Sequence, residues 1–128
     1  MSGDRYGNKG VHTRLAHIGN DPRDFFGFIQ PPVVHASTVL FPDAATMAAR
    51  DQKYYYGTHG TPTTDALTSM LDALEGSAGT VLVPSGLAAV TLPLLAFLSA
   101  GDHVLITDSV YHPTRRFADT VLARMGVE

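Results

Sequence analysis

From residue 63 onward the chain alternates helix and strand patterns, yet it holds only two strand-like runs. That shortage constrains the fold more than any other feature. Thr80-Val81-Leu82-Val83 and His103-Val104-Leu105-Ile106-Thr107 are short and nearly continuous in apolar character, the pattern of strands covered on both faces. Before the first, Leu67, Met70, Leu71 and Leu74 fall at i, i+3, i+4 and i+7, which predicts a helix from about Thr64 to Leu74, closed by Gly76. Between the two, Leu87 to Leu98 reads as a buried helix, kinked where Pro93 removes a backbone donor. After the second, Pro113 suits the first turn of a third helix, carrying Phe117, Val121, Leu122 and Met125 inward. The next strand is expected to begin at Gly126-Val127-Glu128. Helix, strand, helix, strand, helix is the opening of an open α/β sheet with crossover helices. Two such strands cannot cover each other's edges, so the chain is expected to be a fragment or to need partner strands.

Residues 1 to about 50 show no comparable pattern. Breakers recur at Gly19-Asn20-Asp21-Pro22 and Pro31-Pro32, and the segment reads as an arm lying on something else. One short helix is expected over 43–50, after Pro42. The run Lys53-Tyr54-Tyr55-Tyr56-Gly57-Thr58-His59-Gly60-Thr61-Pro62 is a loop by composition but carries three of the five tyrosines. It reads equally as an interface and as a cap on the local core.

The absence of cysteine excludes disulfides, thiolate nucleophiles and Cys-ligated metals. A net charge of −3 argues against nucleic acid as a partner. No apolar signal core opens the chain, and Leu87 to Leu98, 12 residues interrupted by Thr91 and Pro93, falls short of the roughly 20 a membrane span requires. A soluble cytoplasmic protein with no membrane partner is the expectation. The six histidines, His12, His17, His35, His59, His103 and His112, lack metal-ligand spacing, so no metal site is expected.

Two strand ends carry the candidate chemistry. At Val83-Pro84-Ser85-Gly86-Leu87-Ala88-Ala89 a strand, a small-residue turn and a helix start follow one another. Free amides and the helix dipole there favour an anion, and Gly86 lets the backbone approach it. The same junction also reads as a tight turn that binds nothing. With neither G-x-G-x-x-G nor a P-loop present, the anion would be a single phosphate. Tyr111, in Thr107-Asp108-Ser109-Val110-Tyr111-His112-Pro113, follows the other strand and could stack on a planar ring; it also reads as a partly buried packing residue. Ser85 lacks the G-x-S-x-G context of a hydrolase nucleophile.

Taken in order, these pieces resemble the Cys/Met-metabolism enzymes that depend on pyridoxal phosphate, and among them the cystathionine β-lyases most closely. The resemblance runs from Thr13-Arg14-Leu15-Ala16-His17-Ile18-Gly19 to Met125-Gly126-Val127. It passes through Gln30-Pro31-Pro32-Val33-Val34, Ala36-Ser37-Thr38-Val39-Leu40-Phe41, Tyr56-Gly57, Gly60-Thr61-Pro62-Thr63 and Leu74-Glu75-Gly76. It continues through Pro84-Ser85-Gly86-Leu87-Ala88-Ala89 and Gly101-Asp102-His103-Val104-Leu105. It implies an α/β fold: an N-terminal arm plus the first part of the large domain of a fold-type I pyridoxal-phosphate-dependent transferase (aspartate-aminotransferase-like), with an incomplete sheet. Residues 1–62 would be the arm and inter-subunit cofactor loop, and 63–128 the truncated start of the cofactor-binding domain. The strands at 80–83 and 103–107 would not be neighbours.

The resemblance also implies roles. Ser85 and the amides of Gly86 and Leu87 would hold the phosphate of pyridoxal 5'-phosphate. Tyr111 would stack on its ring and assist proton movements. Tyr56 would reach the phosphate in a neighbouring subunit, within a tetramer built from dimers. The family's Schiff-base lysine, the aspartate at the pyridinium nitrogen and the arginine for the substrate carboxylate would all lie beyond Glu128. Of the two lysines, Lys9 lies in a polar tail and Lys53 precedes the tyrosine loop; neither is placed to substitute, and these 128 residues alone are expected to be inactive. The β-lyase pattern Tyr-Gly-Arg-Arg-Gly-Thr is here Tyr56-Gly57-Thr58-His59-Gly60-Thr61. Thr58 thus stands where the family has a phosphate-clamping arginine, and a protonated His59 is one compensation. The complete enzyme would split cystathionine into homocysteine, pyruvate and ammonia. The alternatives are a cystathionine γ-synthase or methionine γ-lyase type of the same family, or a non-catalytic module that binds homologous subunits. Gly57 favours the β-lyase.

Overall fold

A computed structural model describes residues 5–128. They form two compact units, one ending at Val81 and the other running Leu82–Glu128.

The first unit is organised by helix α3, Pro62–Glu75. Its start is set by three adjacent signals. Thr61 caps the helix, its hydroxyl accepting from the Thr64 amide at 3.2 Å while the Thr64 hydroxyl answers the Thr61 amide at 2.8 Å, a reciprocal capping box. Pro62 fills the first turn, where a missing N–H costs nothing. The helix therefore begins at Pro62, two residues before the expected start at Thr64. It stops at Gly76, whose left-handed φ of 65° suits glycine.

Against α3 packs α1, Val11–His17, so part of the expected arm folds on its own chain. Gly19 follows it, and a Cβ there would overlap the Ala66 carbonyl of α3. Only glycine permits that approach at its φ of 78°. A 3-10 turn, Pro22–Phe25, comes next, capped by Asp21, which also receives Arg5 at 3.0 Å and Arg23 at 2.7 Å. Beyond it the chain keeps the character of an arm: Phe26, Phe28, Ile29, Val33 and Leu40 are all exposed. Helix α2, Ala44–Ala49, forms in the expected place with Asp43 as its cap. The Thr46 amide holds the Asp43 carboxyl below the usual carboxylate range.

The second unit contains α4, Gly86–Phe97, and α5, His112–Phe117, which runs on into a π-helical turn over Ala118–Leu122. These helices pack on one another around Leu122, which is 1% exposed, with Val127 and Thr114 beside it.

Three sequence expectations fail here. No strand forms at 80–83 or 103–107 among the described residues, because an extended run becomes a strand only when a neighbour takes up its backbone groups. One pairing does begin. The Val104 amide donates to the Glu128 carbonyl at 2.7 Å and the Glu128 amide to the Asp102 carbonyl at 2.9 Å, the two-bond pattern of a parallel pair. Helix α4 is not buried: Leu87, Val90, Leu92, Leu95 and Phe97 are all exposed. It is apolar on every face, and α5 covers only part of it. Met125, expected inward, also lies exposed, because the chain turns away at Gly126 (φ 81°). Among the described residues no helix is long and apolar enough to cross a membrane.

Candidate functional site

Ser85, Gly86, Leu87 and Tyr111 all belong to the second unit, at the starts of the two helices that pack together. Ser85 caps α4. Its hydroxyl accepts the Ala88 amide at 3.1 Å and its carbonyl the Ala89 amide at 3.0 Å. That leaves the amides of Gly86 and Leu87 without a partner among the described residues. Two outward N–H groups at the positive end of a helix of 12 residues suit a phosphate oxygen. A Cβ built on Gly86 meets nothing within 4 Å, so the space in front of the turn is open. Glycine there answers to no packing demand within this chain.

Tyr111 occupies the N-cap position of α5, where its carbonyl accepts the Thr114 amide at 2.9 Å. Its side chain is 65% exposed, which removes the reading of Tyr111 as a packing residue among these elements. The ring is free to receive a planar partner. One turn along, the Thr114 hydroxyl is buried with no hydrogen-bond partner.

The tyrosine loop lies in the first unit. Tyr56 pairs with Thr38 in an isolated antiparallel bridge, and the Gly57 amide donates to the Ser37 carbonyl at 2.7 Å. Any Cβ at 57 would overlap the Ala36 carbonyl oxygen, so glycine is a steric requirement at this point of the loop. Tyr56 is 42% exposed.

One cluster escaped the sequence reading. Asp65, in the first turn of α3, accepts Lys53 Nζ at 2.8 Å and the Tyr54 hydroxyl at 2.7 Å, while Lys53 sits 4.8 Å over the Tyr54 ring. The hydrogen bond to Asp65, then that to Tyr54, pushes Lys53 up to about 12. Burial pushes Asp65 up, but its bonds to Lys53 and Tyr54 outweigh that and hold its carboxyl below the usual range. Burial and the bond to Asp65 raise Tyr54 in turn. The only available signal was an acid in the first turn of a helix, too common to single out. A lysine that condenses with an aldehyde must shed its proton; Lys53 is held in the opposite state. The residues present thus fit the phosphate end of pyridoxal phosphate and not its aldehyde end. Among the described residues no cluster of potential metal ligands occurs.

Comparison with known proteins places the chain in a family. The family model for Cys/Met metabolism PLP-dependent enzymes matches residues 12–128. The chain is 71% identical, over 94% of its length, to a putative cystathionine beta-lyase of Rhizobium johnstonii, of which it covers 31%. It is 40% identical, over 89% of its length, to an L-alanine/L-glutamate racemase of Wolbachia pipientis, of which it covers 32%. In structure it matches metB from Corynebacterium glutamicum with a TM-score of 0.84 at 31% identity, covering 94% of this chain and 31% of that one. The chain spans about a third of the length of each of these three proteins. It belongs to the Cys/Met metabolism enzymes that depend on pyridoxal phosphate.

Proposed function

We propose that this chain is the N-terminal part of a pyridoxal-phosphate-dependent carbon–sulfur lyase that converts cystathionine and water to homocysteine, pyruvate and ammonia in the cytoplasm. The observation that carries the reading is the 71% identity to a putative cystathionine beta-lyase along almost the whole chain. The two free amides at Gly86 and Leu87 support it. When bound, the cofactor supplies a sink for the negative charge that develops at the substrate α-carbon. Gly86 and Leu87 bind its phosphate by their N–H groups, with Ser85 fixing the turn. Tyr111 stacks on the ring, excludes water from one face and moves a proton at its hydroxyl. Tyr56 reaches the phosphate of a neighbouring subunit in a homotetramer, residues 1–62 forming the arm and cofactor loop and 63–128 the start of the cofactor-binding domain. The lysine that condenses with the cofactor comes from elsewhere in the complete polypeptide.

A second reading, racemisation of alanine or glutamate, is favoured by the 40% identity to the Wolbachia enzyme. Both reactions begin with removal of the same α-proton, so the residues described here serve either. The complete polypeptide, incubated with cystathionine and separately with L-alanine, is expected to release pyruvate from the first and no D-alanine from the second. D-alanine without pyruvate would exchange the two readings. Residues 1–128 alone, mixed with the cofactor and dialysed, are expected to keep no visible absorbance band. A persistent band would show that Lys9 or Lys53 does condense with it. In the complete enzyme, Tyr111→Ala should weaken cofactor affinity about two- to tenfold, in line with about 0.5–1.5 kcal/mol for a ring-on-ring contact beyond its buried area. Unchanged affinity would remove the stacking role.

A further inference from the structure

We propose that the first unit holds a binding site for a free α-amino acid, in which Arg14 takes the carboxylate and Asp24 and Asp72 take the ammonium group. The inference goes beyond the reaction proposed above: none of these residues belongs to the turn at Ser85–Leu87, to Tyr111 or to the tyrosine loop.

Where α1 packs on α3, a concavity of about 570 Å³ opens, with Arg14 of α1, Ser69 and Asp72 of α3 and Asp24 of the 3-10 turn in its wall. Small-molecule sites occupy about 300–1,000 Å³, so the space suits an amino acid with room for its side chain. Arg14 Nε is buried and has no hydrogen-bond partner. Among the described residues nothing forms an ion pair with its guanidinium. A guanidinium withdrawn from water is costly unless an anion meets it. Its planar fork matches a carboxylate through two parallel hydrogen bonds.

The neighbouring charges decide what else the ligand must carry. Arg5 and Lys53 also line the concavity, but Arg5 is paired with Asp21 at 3.0 Å and Lys53 with Asp65 at 2.8 Å. Neither offers a free cation. Asp24 has no ion pair among the described residues. Asp72 accepts the Ser77 hydroxyl at 2.8 Å and the Thr80 hydroxyl at 2.6 Å, both on Oδ1, and no described cation neutralises it. The wall thus presents one unpaired guanidinium and two carboxylates without a cation. A dianion such as phosphate would gain Arg14 and be repelled by both carboxylates. A simple amine would leave Arg14 unanswered. A zwitterion satisfies both signs. The Tyr6 ring, stacked on His17 with centroids 5.0 Å apart at 11°, lines the same space and gives the ligand's side chain a flat surface to lie on.

The test uses the complete enzyme, treated with borohydride so that no amino acid can condense with its cofactor, and follows radiolabelled glycine by equilibrium dialysis. Any glycine held at the catalytic centre is common to all variants, so the comparison between them isolates the Arg14 site. Wild type is expected to bind glycine saturably, with acetate competing weakly and methylamine and inorganic phosphate not competing. Arg14→Gln should weaken the binding about tenfold or more, as for hydrogen bonds to a charged group. Arg14→Lys, which keeps the charge and loses the fork, should recover part of it. Asp24→Asn, at an exposed position, should weaken glycine about two- to fivefold, the range of an exposed ion pair, without weakening acetate. Glycine binding that is absent from wild type, or equal in wild type, Arg14→Gln and Asp24→Asn, would overturn the proposal. Displacement of glycine by phosphate would overturn it too, by marking a plain anion site. If Arg14→Gln does not fold, Asp24→Asn decides: a ratio of glycine to acetate affinity equal to that of wild type overturns the proposal, and a lowered ratio upholds it.

Discussion

Helices α3 and α4 are the two longest among the described residues, and they differ in what they ask of their surroundings. Helix α3 is amphipathic, is closed at both ends by its own sequence, and receives α1 from its own unit. Helix α4 is capped at its start by Ser85 but carries Leu, Val, Ala and Phe on every side, and only α5 covers part of it. Phe97, at its end, is 83% exposed. A helix with one apolar stripe is satisfied by one partner, whereas a helix apolar all round needs several. The first unit gives α3 a partner along part of that stripe, although Leu67 and Leu74 stay exposed. The second presents a helix made to be enclosed, next to backbone runs that have found only the first bonds of a sheet.

The sharpest way to break this contrast is to disturb the first unit where it has no slack. Gly57→Val is expected to destabilise the protein by about 3 kcal/mol or more, because the new side chain has no room beside the Ala36 carbonyl. A melting temperature unchanged from wild type would show that the Tyr56 loop does not hold this position. The next test asks about α4. Leu95→Asp in the complete enzyme should cost about 2 kcal/mol or more in chemical denaturation, as for a buried position. A change within about 0.5 kcal/mol would mean that α4 remains open to solvent in the working protein.

Smaller effects belong to single caps and ion pairs. Thr61→Ala should lower stability by about 1 kcal/mol, since the buried hydroxyl that accepts the Thr64 amide is lost while the Thr61 amide keeps its bond to the Thr64 hydroxyl. Thr61→Ser, which keeps the hydroxyl, should recover most of it. Asp65→Asn should cost less than about 1 kcal/mol, because Lys53 is 71% and Asp65 38% exposed and solvent screens the pair. The sign of its pH dependence is set by both partners. Asp65 is depressed in the fold, so its contribution is present above the ordinary carboxylate pKa and fades as pH falls through the lowered one. Lys53 is raised to about 12, so its contribution is complete below its ordinary pKa and is lost as pH rises through about 12. Wild type and Asp65→Asn should therefore differ by a constant amount around neutrality and converge in strong acid. Divergence around pH 7 would place another titrating group in the cluster.

Of the candidate site, the local half was legible in advance. The capped helix start at Ser85, Gly86 and Leu87 was readable because it is made by consecutive residues. Tyr111 was expected to follow a strand; it caps a helix instead, and its exposure was not legible. The brace of Lys53 and Tyr54 on Asp65 spans 11 and more residues, and no periodicity relates its members. The contact of His59 with Tyr55 and Tyr56 depends on a turn whose bonds appear only once the loop is folded. The expected burial of α4 misread a demand as a fact: apolar residues specify that a helix should be covered, not that its cover is present.

What the residues decide among themselves is therefore the position of helix ends and turns. Asp43, Thr61, Pro62, Gly76, Ser85 and Pro113 act through backbone groups a few residues away, and the sequence states those distances. Strand formation, burial and the meeting of distant side chains were settled only in three dimensions. Each is a relation between segments, and its free energy exists only when both are in place: Glu128 beside Val104, Ala36 beneath Gly57, Asp65 under Lys53.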